Sequence, residues 1–284
     1  MFQHFIITRF NLRKKGWDQT QGNTKVLTDE WMDNRLELFE KYCYASCLAQ
    51  REKNFTWLVF FDVSTLDKYR AVVARLAKAF PTFVPLYIEG MDVFLSEIKK
   101  NIQQRLDQPY LITSRLDNDD CLSQSYVSTV QKQFLKQDFL MINFINGLTL
   151  QLEPEVKLGK HLHLYNPFVS LIESSADFET IWNRSHGSWS KAKKVKSIAC
   201  QPLWLSIIHN ENKENRFLGF GDVAEEELDQ FNISATTRQN LEGKFSPHKA
   251  WRTDSWKNQL KVRSKTYFKR FKRKLRNYFS LLKS

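Results

Sequence analysis

Tyr110-Leu111-Ile112-Thr113-Ser114-Arg115-Leu116-Asp117-Asn118-Asp119-Asp120 decides the fold. Its apolar start, bounded by polar residues, reads as a buried strand, so the three carboxylates that follow stand where a strand ends. Open α/β sheets bind their ligands at the carboxyl ends of strands. Three like charges this close repel and raise one another's pKa unless a positive group neutralises them, and a hard divalent cation with oxygen ligands is the usual remedy. The first expectation is therefore a metal site. The competing reading is local: Asp119 or Asp120 is a good N-cap for the helix suggested by Tyr126, Val127, Val130 and Phe134. A cap needs only one carboxylate, and leaves three of them with an Arg two positions ahead unexplained.

Outward from this stretch, short apolar runs alternate with helical periodicity, which implies βαβ units and a doubly wound, mostly parallel sheet. Phe5 to Phe10 reads as a strand, and Thr28-Asp29-Glu30 opens a helix carrying Trp31, Leu36, Phe39 and Cys43 inward. Phe55 to Phe61 is a second strand. Ser64 and Thr65 start a helix with Leu66, Tyr69, Val72, Val73, Leu76 and Phe80 on one face, which Pro81 stops. Phe83 to Ile88 is a third strand, Val93 to Leu106 a helix, and Tyr110 to Leu116 the fourth strand. A helix over Ser125 to Leu135 precedes strands through Phe139 to Ile142 and Leu148 to Leu152, with Asn146-Gly147 between them as a hairpin signal. From Glu153 to Asn215 the pattern is less regular, with short elements near Pro167 to Ile172 and Leu203 to Ile208. Phe217 to Gly221 reads as a turn, because its glycines fall short of a phosphate-loop pattern.

The chain of 284 residues, 42% hydrophobic and 14% aromatic, can bury a large core, which excludes whole-chain disorder. Its longest apolar runs, such as Trp57 to Phe61, are too short to span a bilayer, and Met1 to Ile7 has neither a basic leader nor a cleavage site. A cytoplasmic location is expected. Cys43, Cys47, Cys121 and Cys200 give no CxxC pair, so they read as free thiols. The net charge of +12 is local: from Lys257 onward there are eleven Lys and Arg and no Asp or Glu, which leaves 32 basic against 31 acidic residues elsewhere.

In that tail Phe268, Phe271, Leu275, Tyr278, Phe279 and Leu282 recur at three- and four-residue steps, with Lys and Arg on the other faces. A basic amphipathic helix of this kind suits an anionic membrane surface. Nucleic acid competes as a partner through its phosphates, but the aromatics form a stripe and are not interleaved as stacking platforms, so no nucleic acid is expected. The bland alternative is a helix docked on the body with a solvated basic face. The expected division is a catalytic domain over 1–250 and the basic helix over 251–284.

Several segments carry a family resemblance. Ser46-Cys47-Leu48-Ala49-Gln50, followed by Asn54 to Thr65 with a strand that ends in Asp62-Val63-Ser64-Thr65, resembles the second-strand region of GT-A glycosyltransferases, and Arg115-Leu116-Asp117-Asn118-Asp119-Asp120 is similar to their Asp-x-Asp motif. Thr8-Arg9-Phe10-Asn11, Glu30-Trp31-Met32-Asp33-Asn34-Arg35-Leu36 and Ser114 to Asp120 together resemble a bacterial rhamnosyltransferase family found with surface-polysaccharide genes, over about residues 3 to 210. The resemblance implies transfer of a sugar from a nucleotide-sugar donor, with a divalent cation (manganese or magnesium) bridging the departing diphosphate as a Lewis acid. Asp117 and Asp119 fall at the Asp-x-Asp positions, with Asp120 as a further ligand or an organiser of the acceptor side. By the same carry-over Asp62 meets the nucleotide base, and Arg9 and Arg115 lie near the donor, where a planar guanidinium suits a diphosphate. A late histidine completes the metal site in many members of the fold, and His209 follows an apolar run as the acidic cluster does. For the base that takes the acceptor's proton, the candidates are His186, Glu173 and Asp222.

The resulting expectation is a GT-A-like α/β enzyme, a hexosyltransferase acting on a saccharide or lipid-linked acceptor in surface polysaccharide synthesis. It would be held as a peripheral protein on the inner face of the bacterial cytoplasmic membrane. Metal-dependent nucleotidyl transfer, and a non-enzymatic protein that binds membrane or nucleic acid, are the alternatives.

Overall fold

The computed structural model describes residues 1–14, 16, 27–212 and 215–281. Strands β1 (Phe2–Arg9), β2 (Thr56–Asp62), β3 (Phe83–Ile88) and β4 (Tyr110–Arg115) run parallel in one sheet, joined by helices α1 (Asp29–Leu38), α2 (Ala45–Leu48), α3 (Asp67–Ala79) and α4 (Phe94–Gln103). Between α1 and α2 the chain winds as one stretch of π-helix, Phe39–Tyr44. After the acidic cluster come the short strand β5 (Cys121–Leu122), helix α5 (Tyr126–Gln131), and strands β6 (Phe139–Phe144), β7 (Asn146–Gln151), β8 (Lys157–Leu162), β9 (Ser170–Ser174), β10 (Val195–Ile198) and β11 (Trp204–Ile208). Helices α6 (Ala235–Leu241) and α7 (Arg252–Leu281) close the chain.

The main sheet has seven strands in the order β10-β6-β9-β4-β1-β2-β3, parallel except for β9, which is antiparallel to both β4 and β6. Both faces are covered, which explains the unbroken apolar runs in the sequence. Ile6, Trp57, Val59, Phe61 and Ile112 point to the side packed by α1, α3 and α5, while Phe5, Ile7, Leu58, Phe60 and Leu111 point to the side packed by α4, Trp182 and Trp189. Fully burying side chains of this size stabilises the fold by about 1.5–3 kcal/mol each. The chain leaves β1 toward β2 on one side and returns as β4 on the other, so the crevice between the ends of β1 and β4 is the topological switch point of the sheet.

Several elements differ from the sequence reading. Asn146-Gly147 makes no hairpin: β6 lies in the main sheet, whereas β7 belongs to a second sheet of order β5-β11-β7-β8. The glycine is needed for packing, since a Cβ there would stand 2.2 Å from Cδ2 of the Trp204 indole. The Asn146 amide donates to the Cys200 carbonyl at 2.6 Å. Helix α3 begins at Asp67, after Ser64 and Thr65, because their hydroxyls are already used in the turn: Ser64 Oγ donates to Asp62 Oδ1 and Thr65 Oγ1 to the Asp62 carbonyl, each at 2.6 Å. Leu66 is exposed, not part of the buried face. Thr28 does cap α1, its Oγ1 accepting from the Trp31 N–H at 3.2 Å.

Helix α7 follows a 3-10 turn at His248–Trp251 and packs along β8 through buried Ser255 and Val262. The Asn258 amide donates to the Gly219 carbonyl, and Ser255 Oγ accepts from the Gly221 N–H. Leu282, counted above in the apolar stripe of the tail, lies outside the described residues. Among the described residues no helix is long and apolar enough to cross a membrane.

Candidate active site

The acidic segment lies at the switch point and is tied to the end of β1: the Asn118 amide donates to the Phe10 carbonyl at 3.1 Å, and the Leu116 N–H to the Ile7 carbonyl at 3.2 Å. Its other edge is braced by the Ser46 to Gln50 segment. Gln50 donates to the carbonyls of Ser46 and Ser123 and accepts from the Val127 N–H, while Ser46 Oγ accepts from the Leu122 N–H. A buried glutamine with both ends of its amide engaged fixes the turn between the acidic segment and α5 in one conformation.

Each of the three aspartates has a different environment. Asp119 is buried, and one of its oxygens, Oδ2, lies 2.7 Å from Arg35 Nη1, 3.1 Å from His209 Nε2 and 3.2 Å from Asn212 Nδ2. Burial acts to raise its pKa, but the Arg35 guanidinium and the His209 ring outweigh it and hold the carboxyl below the usual range. Asp117 sits nearer the surface and pairs both oxygens with Arg115 Nη2, at 3.1 and 3.2 Å. Asp120 points into the seam between the two sheets, where Oδ1 accepts from the Ile207 N–H at 3.0 Å. Burial, and then Asp119 and Asp117, push its carboxyl well above the ordinary value.

Arginines, not foreseen in this role, thus neutralise much of the charge that the sequence argument assigned to a cation. Arg35 comes from α1, is buried, and stacks 5.1 Å from the Trp31 ring. Arg115 lies 4.2 Å from the ring centroid of Trp182 and Arg9 5.8 Å from the same ring, so one indole carries both guanidiniums beside Asp117. The Trp182 indole N–H donates to the Ile7 carbonyl at 3.1 Å, which fixes the ring at the end of β1.

Among the described residues no group of three or more His, Cys, Asp or Glu side chains is arranged to hold a metal ion. Asp119 Oδ2 and His209 Nε2, whose donor types suit a divalent cation, are hydrogen-bonded to each other at 3.1 Å in this structure. Of the four residues expected from sequence, Asp117 pairs with Arg115, and Asp120 gives Oδ1 to the Ile207 N–H while its buried Oδ2 has no hydrogen-bond partner.

Of the remaining candidates, His186 is brought to the site and the others are not. His186 Nδ1 lies 2.7 Å from the Tyr165 carbonyl, which can only accept, so this nitrogen carries the ring proton. Burial lowers the ring's pKa, with Arg115 acting in the same direction and Asp117 against it. The neutral ring therefore keeps a bare lone pair on Nε2. Glu173 lies on β9 opposite Leu111, four residues and so about 13 Å along β4 from Arg115, and its oxygens accept from the N–H groups of Glu179 and Thr180. Asp222 is exposed in the loop after the bridge between Lys160 and Phe220. Asp62 stands at the end of β2, as expected, but both its oxygens are engaged: Oδ1 by Ser64 and by Arg13 Nε at 2.8 Å, Oδ2 by the Arg13 N–H at 3.1 Å.

Arg35, Trp182 and Asn212 were missed by sequence reasoning. Arg35 had a usable signal, being a charged residue four positions after Trp31 and beside Leu36 on the face of α1 that turns inward. Asn212, three residues after His209, and Trp182, in an irregular segment, have no such pattern.

Among solved structures, the chain is similar to TarS 1-349 of S. aureus, with 10% identity over 72% of this chain and a TM-score of 0.41, and it spans 60% of the length of that chain. TarS 1-349 in complex with UDP-GlcNAc gives 9% identity, 84% and 70% coverage and a TM-score of 0.40. A putative nucleotide-diphospho-sugar transferase from Desulfovibrio desulfuricans G20 gives 11% identity, 72% and 82% coverage and a TM-score of 0.36. No curated protein matches the sequence. The model of the family described as "Putative rhamnosyl transferase" matches residues 3–219, a span that holds both sheets but for Phe2 and all the residues gathered at the switch point, and the chain belongs to that family of glycosyltransferases.

Proposed function

We propose that the protein transfers a sugar, rhamnose by the family's description, from a nucleoside-diphosphate donor to a hydroxyl of a saccharide or lipid-linked acceptor in surface polysaccharide synthesis. The observation that carries this reading is the pair of guanidiniums, Arg9 and Arg115, stacked on one indole at the switch point beside an Asp119–His209 edge. Guanidiniums bind diphosphate oxygens through paired, charge-assisted hydrogen bonds. A donor diphosphate entering the crevice would draw Arg115 away from Asp117, because it offers more oxygens than one carboxylate.

A manganese or magnesium ion held by Asp119 and His209 would supply Lewis-acid stabilisation of the departing diphosphate. Arg35 holds the Asp119 carboxylate ionised and fixed in position for that role. His186 would accept the acceptor's hydroxyl proton at Nε2 as the oxygen forms its bond to the anomeric carbon and the bond to the diphosphate breaks. Asp62 would serve the nucleotide indirectly, by shaping the turn after β2. The reading includes a site of action at the cytoplasmic face of an anionic membrane, on which α7 would hold the enzyme.

The test is release of nucleoside diphosphate from a panel of sugar nucleotides, with and without acceptor and with manganese, magnesium or chelator. The expected result is cation-dependent release from one deoxyhexose donor, lost in Asp119→Asn while the fold persists. Silence across the panel, with no nucleotide binding, would overturn the proposal.

A further inference from the structure

The tail helix meets the body through Ser255, Asn258 and Val262 in its first half and Lys269 and Arg273 in its second, and its large apolar side chains are left outside. Taking about 100° per residue, the residues that touch the body (Ser255, Asn258, Val262, Lys269 and Arg273) fall within about 40° of one line along α7. Lys269 Nζ donates to the Leu164 carbonyl at 2.7 Å, and Arg273 donates to the carbonyls of Ser190 and Ala192 at 2.6 and 3.2 Å, with Arg276 also on Ser190. These carbonyls belong to the 3-10 turn His186–Lys191, its following residue and the chain next to Tyr165. Trp256, Leu260, Tyr267, Phe271 and Tyr278 lie about 140–200° round the helix from that line, and they are 46% to 73% exposed. They form an apolar ridge about 33 Å long, at about 1.5 Å per residue.

Arg263, Arg270 and Lys274 line one edge of the ridge, and beyond its other edge Lys257, Lys261 and Lys272 share the surface with Phe268, Leu275 and Phe279, all exposed. A second copy of the ridge would bring these cationic rails against each other, whereas anionic headgroups complement them while the aromatics enter the acyl boundary. We infer that α7 is a fixed seat on an anionic bilayer, lying flat with its aromatic ridge in the lipid and its opposite face clamped to the turn that carries His186. That turn then stands within one helix diameter, about 10–12 Å, of the bilayer. On the transferase reading, the acceptor is lipid-linked with its reacting hydroxyl close to the headgroups.

The experiment is co-sedimentation of the full chain with phosphatidylcholine vesicles, with and without phosphatidylglycerol, with no substrate present, so that a silent transfer assay would leave this inference standing. Binding is expected to be at least about 10-fold tighter with phosphatidylglycerol, because basic residues near the surface are drawn to anionic headgroups. The double substitution Tyr267→Ser and Phe271→Ser, on exposed positions, should weaken it about 10-fold or more with unchanged circular dichroism. On vesicles, the same variant should lose transfer to a lipid-linked acceptor but keep transfer to the free saccharide. Undiminished vesicle binding by the variant overturns the inference. So does a self-associated species in sedimentation that the variant abolishes, or binding to duplex DNA in place of vesicles.

Discussion

Replacing Arg35 by Met keeps the length of the side chain and removes the guanidinium that lies 2.7 Å from Asp119. Both side chains are at most 10% exposed, so water does not take over when the partner is lost. Two unit charges about 4 Å apart attract by on the order of 4 kcal/mol at an effective dielectric of about 20. Removing one member of a buried pair costs about 3–5 kcal/mol, because the other is left uncompensated. Urea unfolding of the wild type, Arg35→Met, Asp119→Asn and the double variant should show Arg35→Met destabilised by about 3–5 kcal/mol. The double variant should be less destabilised than the sum of the two singles by at least about 2 kcal/mol. The cost of Arg35→Met should shrink at low pH, where an Asp119 freed of its partner takes up a proton. A cost below about 1 kcal/mol, or additivity within about 0.5 kcal/mol, would refute the view that Arg35 is what holds Asp119 ionised.

Burial draws the His4 pKa from 6.5 down to about 3, so the unfolded chain gains a proton on falling below pH 6.5 that the folded chain refuses. Its contribution is whole above pH 6.5 and is lost as pH falls toward 3, with about 2 kcal/mol gone by pH 5. The drop in stability between pH 7 and pH 5 should therefore be about 2 kcal/mol smaller in His4→Asn; an equal drop would contradict this. Gly147→Ala should cost about 3 kcal/mol or more through collision with Trp204, and a melting temperature like that of the wild type would show that the indole moves freely. His186→Gln should lower kcat about 100-fold or more with little change in donor KM and should remove the acid limb of the pH profile, whereas a preserved acid limb would take the role of base away from His186.

The parallel strands were legible from their apolar continuity: Phe83 to Ile88 matches β3 residue for residue even though it is the half-buried edge strand, and Tyr110 to Leu116 overruns β4 by one residue. What failed was non-local. Nothing in Ser170 to Ser174 says that β9 will insert antiparallel between β4 and β6, and that insertion carries Glu173 to the far end of β4. Asn146-Gly147 has the local chemistry of a turn, yet its glycine answers to an indole 57 positions later. At the site the carboxylates were visible and their partners were not. A cluster of like charges signals a positive neighbour without saying whether it is a metal or a guanidinium from α1. The tail was legible as an amphipathic helix, but only its docking shows which face is left over.

The most direct test of a diphosphate site at the switch point is the phosphorus NMR spectrum of a bound nucleoside diphosphate titrated with manganese. The account predicts saturable binding with paramagnetic broadening of the diphosphate signals, the broadening lost in Asp119→Asn and the binding weakened in Arg115→Ala. Broadening that is unchanged in Asp119→Asn, or no binding of any nucleoside diphosphate to the folded wild type, would contradict it.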